Sequence, residues 1–112
     1  MSYQHLNRVT LIGVLGKDPE ISVLPQGGSM VRCSLVTNKV WIDRQGEKQI
    51  TAQWHRLIGW GAIPDMCNNL KKGQTVHVEG EIEYTQYTDK EGQRRTGTQI
   101  NIQTIRILRK IG

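Results

Sequence analysis

The chain has 112 residues, the usual size of one compact domain, and this length excludes a two-domain enzyme. Hydrophobic residues make up 37% of it and charged residues 22%, a balance that excludes a wholly disordered chain. No apolar run approaches the length needed to cross a bilayer. The net charge of +5 favours a polyanionic partner. We therefore predict one folded domain over residues 1–112.

Two strands and a short extension are predicted in the first third of the chain. Residues 8–15 are rich in β-branched and aliphatic side chains, and the breaker at 17–19 follows them. Residues 20–24 form a short extension before a turn at 25–28, where Pro and paired Gly suit a tight bend. Residues 30–37 alternate apolar and polar side chains, which predicts a half-buried second strand.

A central strand and one helix follow. After a polar turn at 44–47, residues 50–60 are apolar on both parities, which is typical of a central strand. The spacing of apolar residues then changes from that of a strand to that of a helix, and residues 62–70 are predicted to form a short amphipathic helix. Its apolar positions have the spacing i, i+3, i+4 and i+7: Ile63, Met66, Cys67 and Leu70. Pro64 is tolerated in the first turn, and Gly73 ends the segment.

Period-two alternation returns in the last third. Even-numbered residues from Val76 to Tyr84 are predicted to point inward, and the strand leads to a polar hairpin tip at 89–92. The last strand spans 98–108, with Ile100 and Ile102 on one parity and two further isoleucines on the other. A bulge near Gln103 reconciles the two parities.

The predicted order is three strands, a short helix and two strands. An antiparallel sheet this small must either expose an edge or close on itself. We therefore predict an all-β fold, a five-stranded Greek-key barrel of the OB-fold type, with the helix between strands 3 and 4 and with long hairpin loops.

Reactive groups show no catalytic or metal-binding pattern. The three His and two Cys residues lack zinc-ligand spacing, and we expect no metal, no cofactor and no enzymatic activity. Cys33 lies in an alternating apolar stretch and Cys67 at a helix-core position, so buried free thiols are favoured over a disulfide. Glu79, Glu81 and Glu83 form an acidic stripe, interpreted as a solvated strand face that turns away from a polyanionic partner.

The aromatic residues indicate a binding surface. There are three Trp, three Tyr and no Phe, and four of the rings lie among basic or polar neighbours: Trp41, Trp54, Trp60 and Tyr87. On an unbroken strand Trp54 and Trp60 share a face with Arg56. Flat rings between cations are what a protein needs to bind single-stranded nucleic acid without regard to base sequence. The candidate phosphate ligands are Arg8, Arg32, Arg44, Lys48, Arg56, Lys71, Lys72, Arg94 and Arg95.

Several motifs are specific. They are Asn7-Arg8-Val9 with Leu11-Ile12-Gly13 and Leu15-Gly16-Lys17-Asp18-Pro19-Glu20, Trp54-His55-Arg56 with Gly61 after Trp60, Leu70-Lys71-Lys72-Gly73 with Val78-Glu79-Gly80, and Tyr87-Thr88-Asp89. On these motifs the chain resembles the DNA-binding domain of bacterial single-stranded DNA-binding proteins over essentially its whole length. The resemblance implies base stacking by Trp41, Trp54, Trp60 and Tyr87. It also implies a homotetramer wrapped by the DNA strand, with His55 near a subunit contact rather than on DNA.

The chain departs from this family in two places. Members often carry Trp and basic residues in the long hairpin, where this chain has Tyr87 preceded by residues 83–86, so we expect weaker binding there, with Arg94 and Arg95 as replacements. The family usually continues into an acidic tail that recruits repair proteins, whereas this sequence ends at Gly112. We expect no such recruitment from these residues, and both a naturally tailless relative and a shortened chain would have this ending.

The expected function is therefore non-catalytic coating and protection of single-stranded DNA in replication, recombination and repair. The N-terminus has no secretion or import signal, so we expect a cytoplasmic, nucleoid-associated protein. The main alternative is a tailless primosome-type OB module, a dimer that chiefly holds partner proteins and lacks the stacking set. An RNA-binding OB module such as a cold-shock protein is disfavoured, because no dense run of aromatics occupies the second and third strands.

Overall fold

Six strands and one short helix form the fold in the computed structural model, which describes residues 4–109. The ends of the predicted domain, residues 1–3 and 110–112, lie outside this range. The elements are β1 (Val9–Leu15), β2 (Glu20–Val23), β3 (Ser29–Ile42), β4 (Lys48–Trp60), α1 (Ile63–Cys67), β5 (Thr75–Thr88) and β6 (Arg94–Ile107). No helix among the described residues is long and apolar enough to span a membrane.

Five of the strands close into a barrel. The order around it is β1, β3, β4, β6 and β5, and β5 pairs with β1 to complete the circle. Every neighbouring pair is antiparallel except β4 and β6, which run parallel. The short β2 pairs only with the beginning of β3. This arrangement, with α1 between the third and fourth barrel strands, confirms the predicted OB-fold.

The core fills the barrel with aliphatic side chains. Alternate residues in the barrel portions of β3 and β5 are buried, and α1 covers one end of the barrel through Ile63 and Cys67. The buried cluster consists of Leu15, Val31, Cys33, Leu35, Leu57, Ile63, Cys67, Leu70, Val76, Val78, Ile100, Ile102 and Ile105. The inward parity predicted for the first half of the fourth barrel strand is therefore confirmed at Val76 and Val78.

The predicted bulge is present in β6. Glu79 lies opposite Thr104 and Gly80 lies opposite Ile102, so Gln103 is the extra residue between them. The bulge changes which parity faces inward, and this change brings both Ile102 and Ile105 into the core. Gly80 is required here because a β-carbon at this position would collide with the backbone carbonyl oxygen of Asn101.

The helix is shorter than predicted, at five residues instead of nine. After Cys67 the chain makes three-residue turns, since Leu70 N–H donates to the carbonyl of Cys67 at 3.1 Å. Asn68 and Asn69 form helix poorly, which favours this early ending. Met66, expected on the buried face, is exposed, whereas Leu70 remains buried outside the helix.

Two hairpins extend beyond the barrel as arms, and β3, β4 and β6 each reach farther into these arms than predicted. The β3–β4 arm comprises residues 37–53, where β3 and β4 pair only with each other. The β5–β6 arm comprises residues 83–99. Tyr84, predicted to point inward, lies in this second arm and is exposed, because the barrel core ends at the level of Ile82 and Ile100.

Each arm ends in a turn that is closed by an aspartate. Asp43 Oδ1 accepts the backbone N–H groups of Gln45 and Glu47 at 2.9 and 2.8 Å. Asp89 Oδ1 accepts those of Glu91 and Gln93, both at 2.9 Å. The backbone N–H of Glu47 holds the pKa of Asp43 below its usual value of 3.8. Both turn carboxylates therefore already accept hydrogen bonds from backbone N–H groups of their own turns.

We expect Gly80→Ala to destabilise the barrel by about 1–3 kcal/mol, because the new methyl group overpacks the bulge against backbone. Urea denaturation monitored by circular dichroism would measure the loss. Thr104→Ala, an exposed change at the same bulge, is the control and should alter stability by no more than about 0.5 kcal/mol. Equal midpoints for Gly80→Ala and the unaltered chain would contradict the assigned packing.

Candidate nucleic-acid interface

A cleft opens where β4 and β6 separate. The two strands are neighbours only at Leu57 opposite Ile100 and at Ile58 opposite Asn101. Beyond these pairs each strand continues into its own arm, and a groove of about 340 Å³ lies between them. We call this groove the β4–β6 cleft. Its lining consists of Trp54, His55 and Arg56 of β4, Ile82 and Tyr87 of β5, and residues 97–100 of β6.

A second groove, of about 300 Å³, lies toward β3 and the turn between β1 and β2. It shares residues 54–56 with the β4–β6 cleft and adds Lys17, Glu20, Arg32, Cys33 and Ser34. Lys17 Nζ is 2.8 Å from Glu20 Oε1, and this lysine holds the pKa of Glu20 below its usual value of 4.5. With Arg32 and Arg56 also present, cations outnumber the single carboxylate.

Trp54 lies between the two grooves, and its indole packs against a glycine. Its six-membered ring lies against Gly16, where a β-carbon would come within 2.9 Å of Cη2. Gly16 is itself held by its backbone N–H, which donates to the carbonyl of Ser34 at 2.9 Å. The residue nevertheless remains 62% exposed. The indole is thus positioned by backbone on one side and open to solvent elsewhere.

Trp60 and Trp41 are exposed but line neither groove. Trp60 shares the outer face of β4 with Trp54 and Arg56, as the unbroken strand requires, and lies opposite Met30 at the far end. Trp41 lies in the β3–β4 arm, where the register puts it on the opposite face of the ribbon. Its indole N–H donates to Thr51 Oγ1 at 2.9 Å.

Tyr87 approaches the cleft from the β5–β6 arm. It is half exposed, and its ring covers Gly97, where a β-carbon would lie 3.4 Å from Cε1. Arg95 lies opposite Tyr87 and donates through Nε to Asp89 Oδ2 at 2.9 Å. This guanidinium holds the pKa of Asp89 below its usual value of 3.8. The charge of Arg95 is therefore partly neutralised within the arm.

The nine predicted phosphate ligands are all exposed, but only two of them line the grooves. These two are Arg32 and Arg56. The others are distributed over the surface: Arg8 precedes β1, Arg44 and Lys48 stand at the tip of the β3–β4 arm, Lys71 and Lys72 follow α1, and Arg94 and Arg95 begin β6. Lys17 also lines the second groove but is not among the nine predicted ligands, because its place in the strand breaker and in a family motif gives no sign of a phosphate contact.

His55 lies between Trp54 and Arg56 and contributes to both grooves. Its Nε2 is 2.9 Å from Thr37 Oγ1, a contact between neighbouring strands. The half-buried ring is thereby fixed at the base of the β3–β4 arm. Its expected location near a subunit contact stays a prediction.

The acidic stripe on β5 shares a face with Tyr87, since both have odd-numbered positions on a continuous strand. Glu83 accepts Asn101 Nδ2 at 2.9 Å and Gln99 Nε2 at 3.1 Å. These two amides, Asn101 foremost, hold the pKa of Glu83 below its usual value of 4.5. Two expectations therefore conflict: one predicted stacking ring lies on the face that was predicted to turn away from nucleic acid.

The remaining reactive groups are buried or dispersed. Cys33 and Cys67 are free thiols in the core, as predicted. The adjacent Cys67 thiol, together with burial, raises the pKa of Cys33 far above its usual value, so it stays protonated. Among residues 4–109 no group of three or more His, Cys, Asp or Glu side chains could hold a metal ion.

The family model for the single-strand binding protein family matches residues 6–108. The chain belongs to the single-strand binding protein family. One similar solved structure is an SSB from Plasmodium falciparum in complex with ssDNA, with 29% identity and a TM-score of 0.87 over 97% of this chain and 100% of that one. Another is a deletion mutant of the single-stranded DNA binding protein from Thermus aquaticus, with 30% identity and a TM-score of 0.79.

The residues matched by the family model include the whole described barrel. The Thermus match covers 93% of this chain and 51% of that one, so the present chain spans about half of the longer relative. Members of the family are not enzymes, which agrees with the expectation from the sequence. The roles of individual residues in this chain stay predictions.

We expect Gly16→Ala to displace the Trp54 indole, because the added methyl group would overlap the ring. In a background with Trp41→Phe and Trp60→Phe, acrylamide quenching of the sole indole should increase and its near-ultraviolet circular dichroism should weaken. Gly97→Ala is the matched control, since its methyl group meets Thr85 and Tyr87 instead. Unchanged quenching in Gly16→Ala would show that Gly16 does not position the ring.

Proposed function

We propose that the chain binds single-stranded DNA without regard to base sequence and protects it, making and breaking no covalent bond. The observation that carries this proposal is the exposed Trp54 indole, positioned on Gly16 between two grooves that both contain Arg56. Unpaired nucleotides present a negative backbone and bare aromatic faces, and flat rings between cations bind both. Duplex DNA hides its base faces and should bind far more weakly.

The family match and the Plasmodium structure, which contains ssDNA, support this proposal. Trp41, Trp60 and Tyr87 are the further stacking residues, since all three rings are accessible. The phosphate contacts come from Lys17, Arg32 and Arg56 in the grooves, supplemented by cations on the arms. If about four phosphates are neutralised, the logarithm of affinity should fall against the logarithm of salt concentration with a slope near −3.

The biological role that follows is the coating of single strands exposed during replication, recombination and repair. Bound protein would prevent re-pairing and shield the strand from nucleases. We place this activity in the cytoplasm, at the nucleoid. A primosome-type assembly module, the second candidate, requires no stacking set, and the accessibility of four predicted stacking rings favours the coating role.

A homotetramer is the proposed assembly, and an unpaired strand edge supports association between copies. Within residues 4–109, positions 9–13 of β1 pair with β5 alone, which leaves their second edge free. Ile12 and Val14 are exposed on this strand. An exposed apolar edge strand favours pairing with another strand, and a two-fold axis allows identical edges to meet.

We expect Trp54→Ala to weaken binding of an unstructured oligothymidine on the order of ten- to a hundred-fold, since one base loses its stacking partner. Trp60→Ala should weaken it as well, and both variants should keep a nearly unchanged melting temperature because the rings lie outside the core. Fluorescence titration in parallel with thermal denaturation measures both quantities. Met66→Ala, an exposed apolar change away from both grooves, is the control.

Equal affinity of the unaltered chain for duplex and single-stranded DNA would overturn the proposed function. Unfolding of Trp54→Ala or Trp60→Ala would instead show that the ring supports the core. A mixed-sequence oligomer should bind within a modest factor of oligothymidine, because every base offers a stacking face.

We expect His55→Tyr to shift the oligomer equilibrium toward smaller species. The larger phenol cannot keep the contact with Thr37 at 2.9 Å, which fixes the base of the β3–β4 arm. Light scattering over a dilution series would detect the shift. An unchanged mass at every concentration would remove His55 from the subunit contact.

A further inference from the structure

Tyr84 is a ring that the proposed stacking set does not include. It is 73% exposed, more than Trp54 at 62% or Tyr87 at 50%. It lies in the β5–β6 arm directly opposite Thr98. A single exposed aromatic residue is common on protein surfaces and is not evidence of a binding role. The surroundings of Tyr84 supply that evidence.

The two faces of the β5–β6 arm differ in charge. The face that carries Tyr87 also carries the carboxylates of Glu81 and Glu83. The face that carries Tyr84 is built by residues of the opposite parity: Ile82, Tyr84, Gln86 and Thr88 of β5, and Arg94, Thr96, Thr98 and Ile100 of β6. No carboxylate occurs in this second set, which we call the Tyr84 face. A phosphate backbone is repelled by the first face and not by the second.

The two arginines at the start of β6 differ in the same way. Arg95, on the acidic face, forms an ion pair with Asp89 at 2.9 Å. Arg94, on the Tyr84 face, donates to the amide oxygen of Gln86, which carries no charge. No carboxylate of the described residues lies within ion-pair distance of Arg94. Arg94 therefore keeps its full charge for a phosphate.

The Tyr84 face is continuous with the β4–β6 cleft. The cleft lining contains residues of both faces of the arm: Ile82, Thr98 and Ile100 from the Tyr84 face, and Tyr87, Gly97 and Gln99 from the acidic face. Tyr84 stands two residues beyond Ile82, a distance of about 7 Å along the strand. A nucleic-acid strand that leaves the cleft along the Tyr84 face would meet the Tyr84 ring next and the Arg94 guanidinium farther out.

We propose that Tyr84 is an additional base-stacking residue and that Arg94 is its accompanying phosphate ligand, so that single-stranded DNA leaves the cleft along the Tyr84 face. This inference rests on the proposed function and specifies the DNA path on the β5–β6 arm. It reduces the conflict at Tyr87, because most of the arm's contacts then avoid Glu81 and Glu83.

The test measures oligothymidine affinity of the full chain by Trp fluorescence. Tyr84→Ala should raise Kd about five- to fifty-fold, whereas Tyr84→Phe, which keeps a stacking ring, should bind nearly as the unaltered chain does. Arg94→Gln should lower the magnitude of the salt slope by about 0.7, the value of one phosphate contact on a single strand. The matched variant Arg95→Gln should lower the slope by less than Arg94→Gln does, since Arg95 is already paired with Asp89.

A second measurement does not depend on any variant folding. Irradiation of the unaltered chain bound to an oligonucleotide that contains 5-iodouracil should cross-link Tyr84, which peptide mass spectrometry identifies. Absence of that cross-link would overturn the inference.

Three outcomes distinguish a failure of the inference from a failure of the proposed function. Normal binding by Tyr84→Ala, together with weakened binding by Trp54→Ala, would overturn the role of Tyr84 and leave the function standing. Failure of the unaltered chain to bind oligothymidine would overturn both. A lower oligomer mass of Tyr84→Ala with unchanged Kd per subunit would instead place Tyr84 in a subunit contact and overturn the inference.

Discussion

The pairing of β4 with β6 determines both the barrel and its cleft. The two strands meet at only two residue pairs, one of which joins the buried Leu57 and Ile100. This short parallel contact closes the barrel and seals the core. Beyond it each strand is committed to its own antiparallel partner, so the strands separate and a groove forms. Closure of the core and opening of the cleft thus have one cause.

The sequence predicted most strands because alternation of side chains reports local geometry directly. The bulge at Gln103 was predictable for the same reason, since only an extra residue reconciles two isoleucine parities. Alternation could not indicate where the core ends, and Tyr84 was therefore wrongly placed inside. The helix was predicted to be too long because the apolar spacing indicates only that Leu70 is buried. It does not show that tight turns, rather than a continued helix, bring Leu70 to the core.

The candidate site was predictable in its chemistry but not in its arrangement. Composition and neighbours indicated exposed rings among cations, and the structure leaves those rings accessible. The packing of Trp54 against Gly16 joins residues far apart in the sequence, so no local sequence pattern predicts it. Arg94 and Arg95 have different surroundings because they lie on opposite faces of the arm. Strand register determines which face each residue occupies, and a shift of the register by one residue would exchange the two faces.

The aspartate-closed turns make the arms modular. Every turn bond of Asp43 and Asp89 with backbone N–H groups stays within four residues of the aspartate, so neither turn depends on the barrel for its shape. Evolution or a protein engineer could therefore insert or delete cross-strand pairs two at a time, which preserves the facing of every side chain. If DNA follows the arms as proposed, the number of nucleotides that one copy of the chain covers would then be adjustable independently of the stability of the barrel.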